Sequence, residues 1–199
     1  PLIVGKPPEA ATPETEMLMT HSIEDAVILN ELNMKLFKIP SFEIIDLELL
    51  ECVAKFGKPI ILSTGASTFE EIDNAITTIT KFNPKLALMA CTLSYPTDYE
   101  NANLMRIKTL KKRYPDFMIG ISDHTPPDEN MAIPAFSIGL GARIIEKHYT
   151  LSQKLTGSGH FFSLEPKDLH KMVRNVRLFE KTCGDGFKGL SPAEVKEVL

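Results

Sequence analysis

Short apolar runs end at Lys38, Ser63, Cys91, Ser122 and His148, in steps of 25, 28, 31 and 26 residues. That near-constant interval is the length of one strand, one helix and their turns, so the chain reads as a repeating βα unit. The predicted strands are residues 17–20, 36–39, 59–63, 86–91, 117–122 and 143–148. Most are apolar at nearly every position, as parallel strands covered by helices must be. Helices are predicted between them. Ser67-Thr68-Phe69-Glu70 forms a capping box ahead of Ile72, Ala75, Ile76 and Ile79 at helical spacing. Residues 100–114 carry Leu104, Ile107 and Leu110 on one stripe. Pro166 opens a helix running through Leu169, Met172, Val173 and Val176.

Two architectures accommodate six such units, an eight-stranded TIM-type (β/α) barrel or an open doubly wound sheet. A complete barrel takes about 250 residues, so the chain holds about six βα units of one. The repeat occupies residues 16–183. Residues 1–15, rich in proline and acids, read as a lead-in or loop, and residues 184–199, punctuated by Gly and Pro, as a linker leaving the barrel.

Composition narrows the function classes. A net charge of −4 argues against the basic surface that nucleic acid requires, and Lys111-Lys112-Arg113 reads as a solvated helix end. No apolar run reaches the roughly 18–20 residues of a membrane span. Three widely spaced cysteines give neither a disulfide framework nor a metal-ligand spacing, which points to a reducing, cytoplasmic setting.

If the strands are parallel, their carboxyl ends gather at one edge, where α/β proteins place their chemistry. That edge collects Lys38 and Ser41, Ser63 and Thr64, Thr92 and Tyr95, Ser122 and His124, and His148. One cation and several hydroxyls suit a small carboxylate or phosphate. Two imidazoles, 24 residues apart on successive units, suit a divalent metal with positions left open for substrate. Each has a plainer reading: a packed strand-end histidine, a snorkelling lysine, a turn at Ser63-Thr64-Gly65. Glu43 most simply occupies the first turn of its helix. His21, His160 and His170 have weaker claims, and His170 falls on the solvated face of a helix.

Taken in order, several stretches resemble the sialic-acid synthase family of N-acetylneuraminate, legionaminate and pseudaminate synthases. They are Phe37-Lys38-Ile39-Pro40-Ser41-Phe42-Glu43-Ile44, Pro59-Ile60-Ile61-Leu62-Ser63-Thr64-Gly65, Cys91-Thr92-Leu93-Ser94-Tyr95-Pro96, Gly120-Ile121-Ser122-Asp123-His124-Thr125, Gly141-Ala142-Arg143-Ile144-Ile145-Glu146-Lys147-His148-Tyr149-Thr150 and Ser163-Leu164-Glu165-Pro166. The wording of Ser41-Phe42-Glu43-Ile44 leans toward the pseudaminate branch.

The resemblance implies a (β/α) barrel transferase that condenses phosphoenolpyruvate with an N-acetylated hexosamine, giving a nonulosonic acid and phosphate. It implies His124 and His148 as ligands of a divalent ion, Mn²⁺ first, with Mg²⁺ or Co²⁺ as alternatives. Lys38, Ser41, Ser63 and Ser122 become the phosphoenolpyruvate cradle. Glu43 and Tyr95 become the catalytic pair, with Tyr95 also facing the sugar. Asp123 is read as a group that orients a ligand, and the full-length protein as a homodimer. The family's early catalytic glutamate, its second phosphate-binding lysine and its antifreeze-like domain find no counterpart here, so this chain alone is expected not to turn over. The aspartate that contacts the sugar in many members is Gly159, followed by His160, read as a loop residue; Leu93 replaces a frequent polar residue. Two other readings of the same residues are a metal-dependent aldolase or lyase on a related barrel and a diverged, non-catalytic binding domain.

Overall fold

The computed structural model describes residues 2–4, 17–157 and 159–184, and the side chains from residue 19 onward. Its strands are β1 (Leu2–Val4), β2 (Met17–Met19), β3 (Leu36–Ile39), β4 (Ile60–Ser63), β5 (Leu86–Cys91), β6 (Met118–Asp123) and β7 (Ile144–Lys147). All pair in parallel, in the order β1-β7-β6-β5-β4-β3-β2. From β2 to β7 the spatial order follows the chain without reversal. A doubly wound sheet reverses at a switch point, so that alternative is excluded. Among the described residues β1 and β2 do not pair, and the barrel is open between them.

Among the described residues six helices accompany the strands: α1 (Ile23–Glu31), α2 (Leu47–Lys55), α3 (Phe69–Thr80), α4 (Arg106–Arg113), α5 (Ala132–Gly139) and α6 (Pro166–Cys183). Buried residues from all six, among them Ala26, Val53, Ile79, Ile107, Ile138 and Val176, join one core with Phe37, Ile39, Leu62, Leu88, Ile121 and Ile145 of the strands. A second, smaller cluster of Ile61, Ala87, Met89 and Ile144 contains strand residues only. The two sets alternate along each strand with the period of two that a pleated strand imposes. Helices therefore cover one face, and the other is the barrel interior.

That interior is stratified. Toward the strand starts it is apolar and tight: a Cβ at Gly120 would collide with Met89 and with Cβ of Ile144 (2.8 Å), which reserves the position for glycine. Toward the carboxyl ends it carries Lys38, Ser63, Cys91, Ser122 and Glu146. By register Lys38 pairs with Ile61, Ser63 with Met89, Cys91 with Ser122, and Ser122 with Glu146.

Three local expectations are corrected. Leu2–Val4, within the predicted lead-in, forms a short edge strand on β7. The capping box is shifted by one residue: Thr68 Oγ1 accepts from Glu71 N–H (3.2 Å) and Glu71 accepts from Thr68 N–H (2.7 Å). Ser67 is already committed, its hydroxyl donating to the Gly65 carbonyl (3.1 Å). The helix expected over residues 100–114 breaks into a 3-10 turn (Tyr99–Asn101) and α4, because Asn103 adopts a left-handed conformation (φ 44°) that no helix interior tolerates. Residues 185–199 of the predicted linker lie outside the described residues. Among the described residues, no helix is long and apolar enough to cross a membrane, and Cys52, Cys91 and Cys183 are free.

Candidate active site

Lys38 reaches the interior because it alternates with Phe37 and Ile39, which face the helices. Its ammonium is almost wholly buried, donates to the Ile39 carbonyl (3.3 Å) and lies 3.6 Å from Glu146 Oε2. Glu146 is held by its other oxygen, which accepts from Ser122 Oγ (2.7 Å). Sequence reasoning passed over Glu146. The signal was present, since it stands two residues before His148 and so shares its face of the strand.

The serines divide by how they are occupied. Ser41 opens a 3-10 turn (Ser41–Ile45) after β3; its Oγ accepts from Gly65 N–H (2.9 Å), and both Ser41 and Ser122 approach the Cys91 thiol. Gly65 is what permits that approach, as a Cβ there would stand 2.9 Å from Ser41 Oγ and 3.0 Å from Cys91 Sγ. Burial pushes the Cys91 thiol up, away from the reactive thiolate. Ser63 Oγ is buried and has no hydrogen-bond partner among the described residues. Glu43 Oε2 is in the same condition, although Glu43 Oε1 lies 2.8 Å from His21 Nδ1. His21, given a weak claim from sequence, thus joins the site's margin. Thr64 turns away, its hydroxyl donating to the Met89 carbonyl (2.9 Å).

His124 and His148 follow the ends of β6 and β7 and converge, with ring centroids 5.3 Å apart and planes at 81°. Tyr95 lies over both, 4.2 Å from His124 and 5.8 Å from His148, and Phe162 closes on His148 at 5.0 Å. Burial lowers the pKa of both imidazoles; for His148, with the His124 charge adding to burial, it falls to about 4. Both are neutral at pH 7, the ligating form. His124 Nδ1 lies 3.0 Å from the Thr92 carbonyl, an acceptor for a proton on that nitrogen; the tautomer that donates there leaves Nε2 bare. Desolvation first, then the Cys91, Glu146 and Glu43 charges, raises the Tyr95 phenol to about 12, so it stays protonated.

Among the described residues no third His, Cys, Asp or Glu completes a metal-holding group. The donor set is therefore two neutral imidazoles. It fits a divalent ion that keeps most of its positions for water and substrate.

Asp123 supports the site without bonding to a ring. It faces the helices, and its carboxylate accepts from Lys147 Nζ (3.0 Å) and Thr125 N–H (2.9 Å), not from a histidine. Gly159 adopts φ 92°, with its missing Cβ pointing at His148 Nδ1 (3.6 Å). His160, read as a loop residue, opens a 3-10 turn (His160–Phe162) with its Nδ1 2.8 Å from Thr150 Oγ1, and His170 is exposed.

The sequence model of the NeuB family matches residues 15–188. The chain is 38% identical, over 88% of its length and 52% of the relative's, to the N,N'-diacetyllegionaminic acid synthase of Campylobacter jejuni. It is 36% identical to the pseudaminic acid synthase of the same species, over 82% of this chain and 47% of that one. Among solved structures, the N-acetylneuraminic acid synthetase of Leptospira borgpetersenii superimposes with a TM-score of 0.82 at 35% identity, covering 90% of this chain and 62% of that chain. The chain spans about half the length of the curated relatives it matches.

Proposed function

The chain belongs to the NeuB family, and from that premise we propose that it carries the catalytic edge of a nonulosonic acid synthase, which condenses phosphoenolpyruvate with an N-acetylated hexosamine and releases phosphate. One observation carries the reading: a buried ammonium on Lys38, 3.6 Å from Glu146, shares the strand-end edge with several hydroxyls, one of which, Ser63 Oγ, is buried with no hydrogen-bond partner among the described residues. A buried polar atom left unpaired costs about 1–3 kcal/mol, so its retention calls for a partner that arrives with the ligand.

Lys38 supplies the point charge for the phosphoenolpyruvate anion, and Ser41, Ser63 and Ser122 supply hydroxyls around it. Ser122 already donates to Glu146, so an anion that takes its proton frees Glu146 to accept elsewhere. Glu43 offers Oε2 as the proton acceptor or donor beside the reacting carbons, while His21 steadies Oε1. Tyr95, protonated and half-exposed over the two rings, presents a hydroxyl to the sugar and limits water there. His124 and His148 would hold a divalent ion, Mn²⁺ first and Mg²⁺ or Co²⁺ next, which supplies Lewis acidity toward the sugar's carbonyl oxygen.

The test is calorimetric titration of the chain with phosphoenolpyruvate, with and without Mn²⁺, followed by phosphate analysis after an N-acetylated hexosamine is added to the parent enzyme. The reading expects phosphoenolpyruvate to bind in the strand-end site and phosphate to be liberated. Carbon–carbon bond formation or cleavage without phosphate release would assign an aldolase or lyase instead.

A further inference from the structure

His124 has two tautomers open to it, and the structure offers a partner for each. With the proton on Nδ1, the ring donates to the Thr92 carbonyl (3.0 Å). With the proton on Nε2, it faces Ser122 Oγ at 3.4 Å, an oxygen whose own proton is already spent on Glu146 and which is therefore an acceptor. Only the first tautomer presents a bare Nε2. In the second tautomer Nδ1 can accept from the Cys91 thiol at 3.9 Å, so how firmly the Thr92 carbonyl is aimed at the ring against that competitor bears on which form prevails.

Thr92 leaves the end of β5 and has no ladder partner to hold it. Arg106, the first residue of α4, reaches back across that gap. Its Nη1 donates to the Cys91 carbonyl (3.1 Å) and to Thr92 Oγ1 (2.9 Å), gripping the peptide on one side of Thr92 and the side chain of Thr92 itself. The Thr92 hydroxyl in turn donates to the Asn101 carbonyl (3.2 Å), tying the segment to the loop before α4. On the other side the same Thr92 carbonyl accepts from Ser94 N–H (3.0 Å), and Thr97 Oγ1 donates to the Ser94 carbonyl (2.8 Å). Those two close the local turn; Arg106 anchors the turn to a helix.

We propose that Arg106 is a positioning residue: by clamping Cys91 and Thr92 to α4 it aims the Thr92 carbonyl at His124 Nδ1 and so selects the tautomer that presents Nε2. The inference rests on the metal reading above for its purpose, but not for its test. Partners that orient a ligating histidine typically change metal affinity by about 10–100-fold when removed, and a residue acting through such a partner belongs at the lower end. Lysine in place of Arg106 keeps the charge but not the fork of donors, so Arg106→Lys is expected to restore only part of the effect.

The experiment compares wild type, Arg106→Met and Arg106→Lys, with His124 ring nitrogens assigned through His124→Gln and read by ¹⁵N chemical shift at neutral pH. The wild type is expected to show a protonated Nδ1 and a bare Nε2. Arg106→Met is expected to show averaging toward the Nε2-protonated form, and about tenfold weaker binding of Mn²⁺ alone. Thr92→Val, which keeps the carbonyl but removes the gripped hydroxyl, should move the same way by less, and serves if Arg106→Met does not fold. An unchanged Nδ1-protonated His124 in folded Arg106→Met or Thr92→Val overturns the proposal. A wild type that binds no Mn²⁺ sinks the metal assignment, and the nitrogen shifts then decide Arg106 by themselves.

Discussion

Two lysine–carboxylate pairs brace the sheet on opposite faces, Lys147–Asp123 between the adjacent strands β7 and β6 and Lys38–Glu146 across the interior from β3 to β7, and they are built to opposite standards. On the helix-facing side Lys147 meets Asp123 at 3.0 Å, both almost fully buried. All three ammonium protons are used, on Asp123 Oδ2, the Thr125 carbonyl (2.6 Å) and Thr125 Oγ1 (3.4 Å), and the second Asp123 oxygen accepts from Thr125 N–H. On the interior side Lys38 stands 3.6 Å from Glu146, outside hydrogen-bonding distance, and makes one hydrogen bond, to its neighbour's carbonyl. A buried charge with every valence satisfied holds a structure together. One with donors to spare is poised for something that arrives later. Asp123 and Lys147 each immediately precede a site histidine, so the saturated pair also fixes the register in which His124 and His148 meet.

The largest effect should come from breaking the saturated pair. Lys147→Met leaves Asp123 buried without a counter-charge, and such a loss costs about 3–5 kcal/mol. Urea unfolding of Lys147→Met and of the double variant Asp123→Leu with Lys147→Met measures it, and the double variant should recover most of the loss. If the single variant were as stable as wild type, the two pairs would not differ as argued.

Lys38→Met sharpens the same contrast from the other side. Glu146 keeps Ser122 and about a fifth of its side chain in water, so the stability change is expected to stay within about 1 kcal/mol. Affinity for phosphoenolpyruvate should fall by about 10–100-fold, or about 1.4–2.8 kcal/mol, read by the same calorimetry as wild type. A large stability loss with unchanged affinity would make Lys38 structural.

The histidines extend the comparison to pH. In the metal-free fold His148 titrates at about 4, against 6.5 in its unperturbed state, and His124 shifts the same way. Between those values the unfolded chain binds protons that the folded one does not, so stability falls as pH drops from about 6.5 to about 4 and this contribution levels off below. Chelator-treated wild type and His148→Gln, melted across that window, test it; the variant should show the shallower slope.

How much of this was legible beforehand follows from which physics each feature needs. The βα repeat, Lys38, Ser63, Ser122 and both histidines were readable because period-two alternation and strand-end position depend only on local spacing. Glu146 satisfied the same rule but was hidden by its apolar-run context. Asp123 was recognised as supporting, but its partner was not legible, because its face is set by the pleat and its counter-charge is Lys147 on the next strand. The one-residue shift of the α3 cap was not decidable from sequence, since Ser67-Thr68 faces Glu70-Glu71 and only the Ser67–Gly65 bond breaks the tie. Strand β1 depends on pairing with a segment about 140 residues away, which no local pattern encodes.

The smallest predicted effect separates the two standards of construction most directly. Ser63 Oγ is buried with no hydrogen-bond partner among the described residues, so in the ligand-free protein no protein group there offsets the cost of burying the hydroxyl. Ser63→Ala removes that cost, leaves the Cβ packing intact and should stabilise by about 1 kcal/mol, the lower end for an unsatisfied buried group. In a chain of this size that is a rise of about 2–4 °C in Tm. Added phosphoenolpyruvate should then reverse the order, because the wild type gains a hydrogen bond that the variant lacks. Thr125→Val, beside the saturated pair, is the control: its hydroxyl is an acceptor for Lys147, so the same kind of deletion should destabilise, with ligand or without. If Ser63→Ala instead lowered Tm in the free protein, the spare hydroxyl would be structural and the interior edge would lose its claim to be poised for a ligand.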